Sequence, residues 1–188
     1  MQISYDGNYQ FINYARYMSS PIWTGAFLKL DFNMDPLYTY YLDEMIVGTS
    51  HDFTTIALGS TNDIFYVGGN VGTGGQFKAA IFKLKDANTT ASEQWRVTFG
   101  TTTENYCVDH ATLFGEELLM VAGFTLPLGS TSCDGYSSVP NEYVAVVKTS
   151  TGTIMKIKTM MLGNINTIFT KILVDDEGYL SILGFQKN

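Results

Sequence analysis

Asp109 and His110 are the residues whose types alone suggest hydrolytic chemistry, with Ser and Thr abundant elsewhere in the chain. Neighbouring residues on a strand point to opposite faces, so an adjacent Asp-His pair does not converge on one substrate. There is no GxSxG elbow and His51 has no evident partner, so a triad is not expected. Asp31, Asn33 and Asp35 in DFNMD alternate as the oxygen ligands of a calcium loop do. The sixth position is Pro36 instead of Gly and the twelfth is Leu42 instead of Glu, which leaves an ordinary Asp/Asn turn as the expectation. The glycine-rich GGNVGTGG at 68–75 has neither the GK-Ser/Thr of a Walker loop nor a following helix. The two Cys and two His show no CxxC or HExxH spacing, so zinc is not expected. No catalytic, cofactor-binding or metal-ligating residue is assigned, and no cofactor is called for.

The residues that repeat are structural. DIFYVGG at 63–69, ELLMVAG at 117–123 and GYLSILG at 178–184 are apolar runs ending in Gly, and GNYQFIN at 7–13 is a degenerate copy, a recurrence of roughly 55 residues. A second run follows three of them, GAFLKLD at 25–31, AAIFKLK at 79–85 and VAVVKTS at 144–150, aligned on Lys29, Lys83 and Lys148. A third closes on Gly: LYTYYLDEMIVG at 37–48, EQWRVTFG at 93–100 and TIMKIKTMMLG at 153–163. A fourth short run, TTIAL at 54–58, CVDHATLF at 107–114 or IFTKILV at 168–174, precedes the Gly-terminated strand. Turn clusters such as GSTND, KDANTT, TSTGT and DDEG separate the runs, as antiparallel hairpins require. The one helical alternative, Tyr38 to Ile46, lies where the repeat calls for a strand.

Composition agrees. The chain has 188 residues, 45% hydrophobic and 15% charged, with 18 Gly, 12 Tyr and 12 Phe. Aromatic and β-branched side chains suit a half-buried pleated surface. The expectation is an all-β fold, built as β-propeller blades of four antiparallel strands. Labelled a to d from the axis outward, the strands read b, c, d, then a to d twice, then a and b. The blades are expected at approximately 1–50 (partial), 51–102, 103–164 and 165–188 (partial). This is about three and a quarter blades, fewer than the four that close a ring, so the ring is expected to be incomplete.

In DIFYVGGNVGTGGQFKAAIFKLKDANTTASEQWRVTFG at 63–100 an apolar strand ending in Gly leads to AxxxKLK and then to a Trp95-containing strand ending in FG. This resembles the repeat of the bacterial-type seven-bladed β-propeller family. Elsewhere Trp95 is replaced by Tyr40 or by a position near Met155. The resemblance implies a scaffold for binding or assembly, commonly in exported or surface proteins, with no shared catalytic residues.

Cys107 enters strand a of the third unit and Cys133 lies in that unit's b-to-c loop, and in propellers these connections share one face. They are candidates for a disulfide, the alternative being two buried free thiols. A disulfide implies an oxidising compartment. Asn88, in NTT at 88–90, meets the N-glycosylation pattern on an expected exposed turn. The b-to-c connection of the third unit is longer than in the other two. Its insertion, TLPLGSTSCDGYSSVPNE at 125–142, offers Thr125, Asp134, Tyr136 and Asn141 as a candidate contact loop.

The net charge is -7 and the Lys and Arg residues are scattered, which argues against nucleic acid and anionic membrane surfaces. No apolar run approaches the ~18 residues of a membrane span. MQISYDGNYQ lacks the basic and apolar regions of a signal peptide, so either an intracellular protein or a mature or internal piece is expected. The leading reading is a non-enzymatic propeller scaffold or interaction module of an extracellular or surface-associated assembly. Its partners would be other proteins, or further copies of itself completing the ring. The alternatives are a propeller enzyme of lyase or quinone-dependent dehydrogenase type that needs further blades, and an intracellular interaction propeller. KTSTGTIMKIKT at 148–159 resembles the strand pair of quinone-dependent dehydrogenases but lacks their docking Trp.

Overall fold

Alternating apolar and polar residues broken by Gly, Asn and Asp produce consecutive hairpins throughout. The computed structural model describes residues 2–4, 6–19, 22–41, 50–61, 63–73, 76–129, 133, 141–160 and 166–187. The fold is all-β, and no helix occurs among these residues. The first sheet runs β1 (Gln2–Ile3), β2 (Tyr9–Ser19), β3 (Ile22–Asp31) and β4 (Pro36–Tyr41), and the second β5 (Ser50–Leu58), β6 (Ile64–Thr73), β7 (Gln76–Asp86) and β8 (Ala91–Phe99). The third contains β9 (Glu104–Phe114), β10 (Leu118–Pro127), β11 (Asn141–Lys148) and β12 (Ile154–Met160), and the fourth β13 (Asn166–Val174) and β14 (Leu180–Lys187). Within each sheet spatial order follows chain order and every pairing is antiparallel. The strand β1 adds an edge strand to the first sheet that the sequence pattern does not show. Tyr38 to Tyr41 is strand, and the remainder of the helical alternative lies outside the described residues.

The sheets stack in chain order. β5 packs on β2 and β3, β9 packs on β5, β6 and β7, and β13 packs on β9, β10 and β11. Among the described residues the sheets form no closed ring. Between the first two sheets, Phe27 and Phe65 meet edge to face with ring centroids 4.8 Å apart, and Phe11 and Phe82 join the same core. Between the second and third, Tyr143 is fully buried against Phe99 and Tyr106, 5.8 and 5.1 Å away. Such aromatic pairs contribute about 0.5–1.5 kcal/mol each beyond the area they bury.

The recurring Gly has a mechanical cause. Gly69, Gly123 and Gly184 pair with Phe53, Val108 and Phe169, and in each case the next residue of the partner strand, Thr54, Asp109 or Thr170, is skipped by the pairing. The first strand of each of these sheets is therefore bulged at one equivalent place, which bends it and increases its twist. At Gly123 a Cβ would lie 1.9 Å from the Cys107 carbonyl oxygen, so no other residue fits.

Candidate functional site

An edge strand needs partners for the backbone groups that face away from its sheet. At β9 those partners are side chains of the preceding sheet. Val108 N donates to Asn70 Oδ1 at 2.8 Å, Ala111 N donates to Thr55 Oγ1 at 3.1 Å, and Thr54 Oγ1 donates to the Val108 carbonyl at 2.6 Å. One interface earlier, Asn13 Nδ2 donates to the Phe53 carbonyl at 2.9 Å. Phe53 and Val108 occupy the same position before their bulges, so the same group is served twice by the preceding sheet.

The outer corners repeat in the same way. Lys29 of β3 pairs with Asp86 at the end of β7, both almost wholly buried, and Lys29 Nζ sits 3.9 Å from the Tyr9 ring centroid. Tyr38, opposite Lys29 on β4, donates its hydroxyl to Asp86 Oδ1 at 2.9 Å. Burial, followed by that carboxylate, pushes the Tyr38 phenol pKa well up, so the donor proton stays in place. In the next interface Lys83 of β7 and Trp95, opposite it on β8, both donate to the Thr149 carbonyl, at 3.2 and 2.9 Å. The first and second sheets thus each reach the next sheet through a Lys and an aromatic donor facing each other across two strands. Beside the second latch lies a cavity of ≈ 300 Å³ whose walls include Tyr66, Lys83, Glu116 and Ser150.

The pairing register corrects the alignment of the third unit. Gly69 pairs with Ala80 and Gly123 with Tyr143, so Val146, not Lys148, occupies the place of Lys83. Lys148 corresponds to exposed Lys85 instead. Its cross-strand set changes too: Lys156 and Lys158 stand opposite Val146 and Val144, where the second sheet has Trp95 and Val97 and the first has Tyr38 and Tyr40. Both lysines are exposed. The third sheet therefore lacks the latch, over the region where the fourth has no third or fourth strand among the described residues.

Cys107 and Cys133 form a disulfide, with their Cα atoms 5.7 Å apart. It ties the connection between β10 and β11 to the first strand of its sheet, where buried Cys107 packs with Phe124 and Leu126. Of the candidate contact residues, Asp134 and Tyr136 lie outside the described residues. Thr125 is 2% exposed and pairs with Asn141 across β10 and β11. Pairing continues past the expected end of the strand, so Thr125 lies buried at the base of the connection. Asn88 is exposed in the β7–β8 turn with φ 70, and its N–H donates to Asp86 Oδ1 at 2.9 Å. Asp31 and Asp35 form a turn in which Asp35 N donates to Asp31 Oδ1 at 2.9 Å. Among the described residues, no cluster of three His, Cys, Asp or Glu side chains is placed to hold a metal.

Among the described carboxylates, Asp109 has its pKa shifted upward by burial. Burial at the bulge raises its pKa to about 7. Burial, aided by Lys171, lowers the pKa of neighbouring His110. Sequence reasoning dismissed Asp109 because strand neighbours diverge; the bulge, legible only once Gly123 is paired with Val108, makes it chemically distinct. No protein-family model matches this chain, and no curated protein matches it.

Proposed function

We propose that this chain is a non-enzymatic β-propeller portion acting as a scaffold or interaction module in an extracellular or surface-associated assembly. The observation that carries the reading is the repeated interface: Lys29 with Tyr38, and Lys83 with Trp95, spend their polar groups on the next sheet's turn. Sheets stacked in chain order, three of them four-strand antiparallel meanders, match what propeller blades require. The disulfide supports an oxidising compartment, and exposed Asn88 is available to a glycosyltransferase there. The partner surface is the β10–β11 connection, which is longer than its counterparts in the other units and carries Cys133.

The test is binding of purified protein to immobilised matrix, surface-fibre and glycan panels, with and without replacement of residues 128–140 by a short Gly-Ser turn. Binding that falls at least tenfold on replacement supports the reading. Absence of binding in every panel removes its content. Asp109 favours a second reading, an enzyme whose mouth needs additional blades, because a carboxyl group titrating near 7 on an inner strand is suited to proton transfer.

A further inference from the structure

The first two interfaces use one place of the repeat differently. Counted from the Gly69–Ala80 and Gly123–Tyr143 pairs, Asp86 and Thr149 are equivalent residues of their sheets. Each receives the lysine of the preceding sheet. At the first interface the Asp86 carboxylate meets both Lys29 and the Tyr38 hydroxyl. At the second that carboxylate is replaced. The Thr149 hydroxyl donates to the Glu116 carbonyl at 2.5 Å, and Lys83 Nζ and Trp95 Nε1 share the Thr149 carbonyl at 3.2 and 2.9 Å.

An ammonium carries three donors and a carbonyl oxygen two lone pairs, so the carbonyl is saturated while Lys83 has used a single donor. Lys83 is half-buried, and no described carboxylate forms an ion pair with it. Beside it lies the cavity of ≈ 300 Å³, a volume at the lower end of small-molecule sites. Its polar walls are Ser60 and Thr61 after β5, Glu116 between β9 and β10, Ser150 after β11, and Tyr66, whose counterpart opposite Lys29 is Phe11. The cavity lies within the stack, between the second and third sheets, so neither end of the chain forms or exposes it.

A half-buried ammonium with unused donors selects an anion, and a carboxylate is what the repeat itself supplies at Asp86. The surrounding hydroxyls and the Glu116 carboxylate suit the hydroxyl groups of a ligand, whereas a second negative charge would be repelled by Glu116. We infer that this cavity binds a small hydroxylated monocarboxylate of the sugar-acid class. Its carboxylate sits on Lys83, in the part that Asp86 plays one interface earlier, and its hydroxyls meet Ser60, Ser150 and Glu116. This goes beyond the scaffold reading and uses a surface other than the β10–β11 connection.

The test is a chemical-shift titration of the isotope-labelled full chain, disulfide intact, with sodium glucuronate, compared with glucose and with sodium chloride. Glucuronate should shift the amides of Ser60, Thr61 and Ser150 and the Trp95 indole saturably, and bind about tenfold or more tightly than glucose. Lys83→Met should remove that advantage. Thr149→Asp supplies a carboxylate from within the chain and should also weaken glucuronate binding about tenfold. Ser150→Trp adds bulk to the cavity wall at an exposed turn position, and it carries the test if Lys83→Met does not fold. A free sugar acid and the end of an acidic glycan present the same group. A glucuronate-terminated disaccharide that binds more tightly than the free acid assigns the site to the glycan, and weaker binding assigns it to the free acid. No saturable shift with glucuronate, shifts equal to those from glucose or chloride, or binding unchanged in Thr149→Asp and Ser150→Trp overturns the inference. Replacement of residues 128–140 should leave this binding intact, so its failure and that of the scaffold reading are told apart.

Discussion

Lys29 Nζ and the carboxylate of Asp86 form an ion pair that joins two sheets, with side-chain exposures of 1% and 5%. Removing one partner of a buried pair leaves an uncompensated charge and costs about 3–5 kcal/mol. Lys29→Ala and Asp86→Ala should each show this loss in urea unfolding. Lys85→Ala should cost under ~1 kcal/mol, because its pairing with Asp63 at 3.8 Å is half exposed. Equal effects at the two sites would mean that the Lys29 corner is solvated.

Gly152 packs its Cα under the Trp95 ring: φ is +71 and a Cβ there would lie 2.8 Å from the indole. Gly115 also has positive φ, at +57, but open space around it. Gly115→Ala should cost about 1 kcal/mol for backbone strain alone. Gly152→Ala adds the steric term of an overpacked site, a further ~1–3 kcal/mol, and shifts Trp95. Denaturation midpoints of the two variants, compared directly, measure that second term.

Asp109 predicts a pH dependence with a definite sign. Its folded pKa of about 7 lies above the ordinary carboxylate value of 3.8, so folding favours the protonated form. Below about pH 4 both states hold the proton; as pH rises toward 7 the unfolded chain releases it while the folded chain keeps it. Stability from this group is therefore full in acid and declines through that window, by on the order of 2–4 kcal/mol. Asp109→Asn should flatten this component between pH 4 and 8 in thermal melts, and an unchanged slope would remove Asp109 as its source.

The Cys107–Cys133 bond closes a sequence separation of 26, which stabilises the fold by roughly 3–4 kcal/mol through restriction of the unfolded chain. Cys133→Ala should lower stability by about this amount. Thiol titration of wild type under denaturing, non-reducing conditions should find no free thiol, and two would contradict the assignment.

The strands from Phe53 to Lys158 were legible because turn residues and apolar runs alternate with a nearly constant spacing. The recurring Gly was visible as a pattern, but its cause was not, since the bulge at Thr54, Asp109 and Thr170 depends on which residues pair. Aligning Lys148 with Lys29 and Lys83 failed because turn lengths differ between units, and only the register shows Val146 in that place. Thr125 looked like loop because Leu126 and Pro127 follow it, yet β10 continues to Pro127 opposite β9. Asp86, Asn70 and Thr55 carry no local signal at all, because what they bind lies on another sheet.

The proposed function makes these sheets propeller blades within a larger assembly. Cryo-electron microscopy of the assembled protein tests it most directly. The expected result is sheets arranged radially about one axis, with β5, β9 and β13 innermost and their bulges at one level. Sheets with no common axis, or with β4, β8 and β12 turned inward, would contradict it.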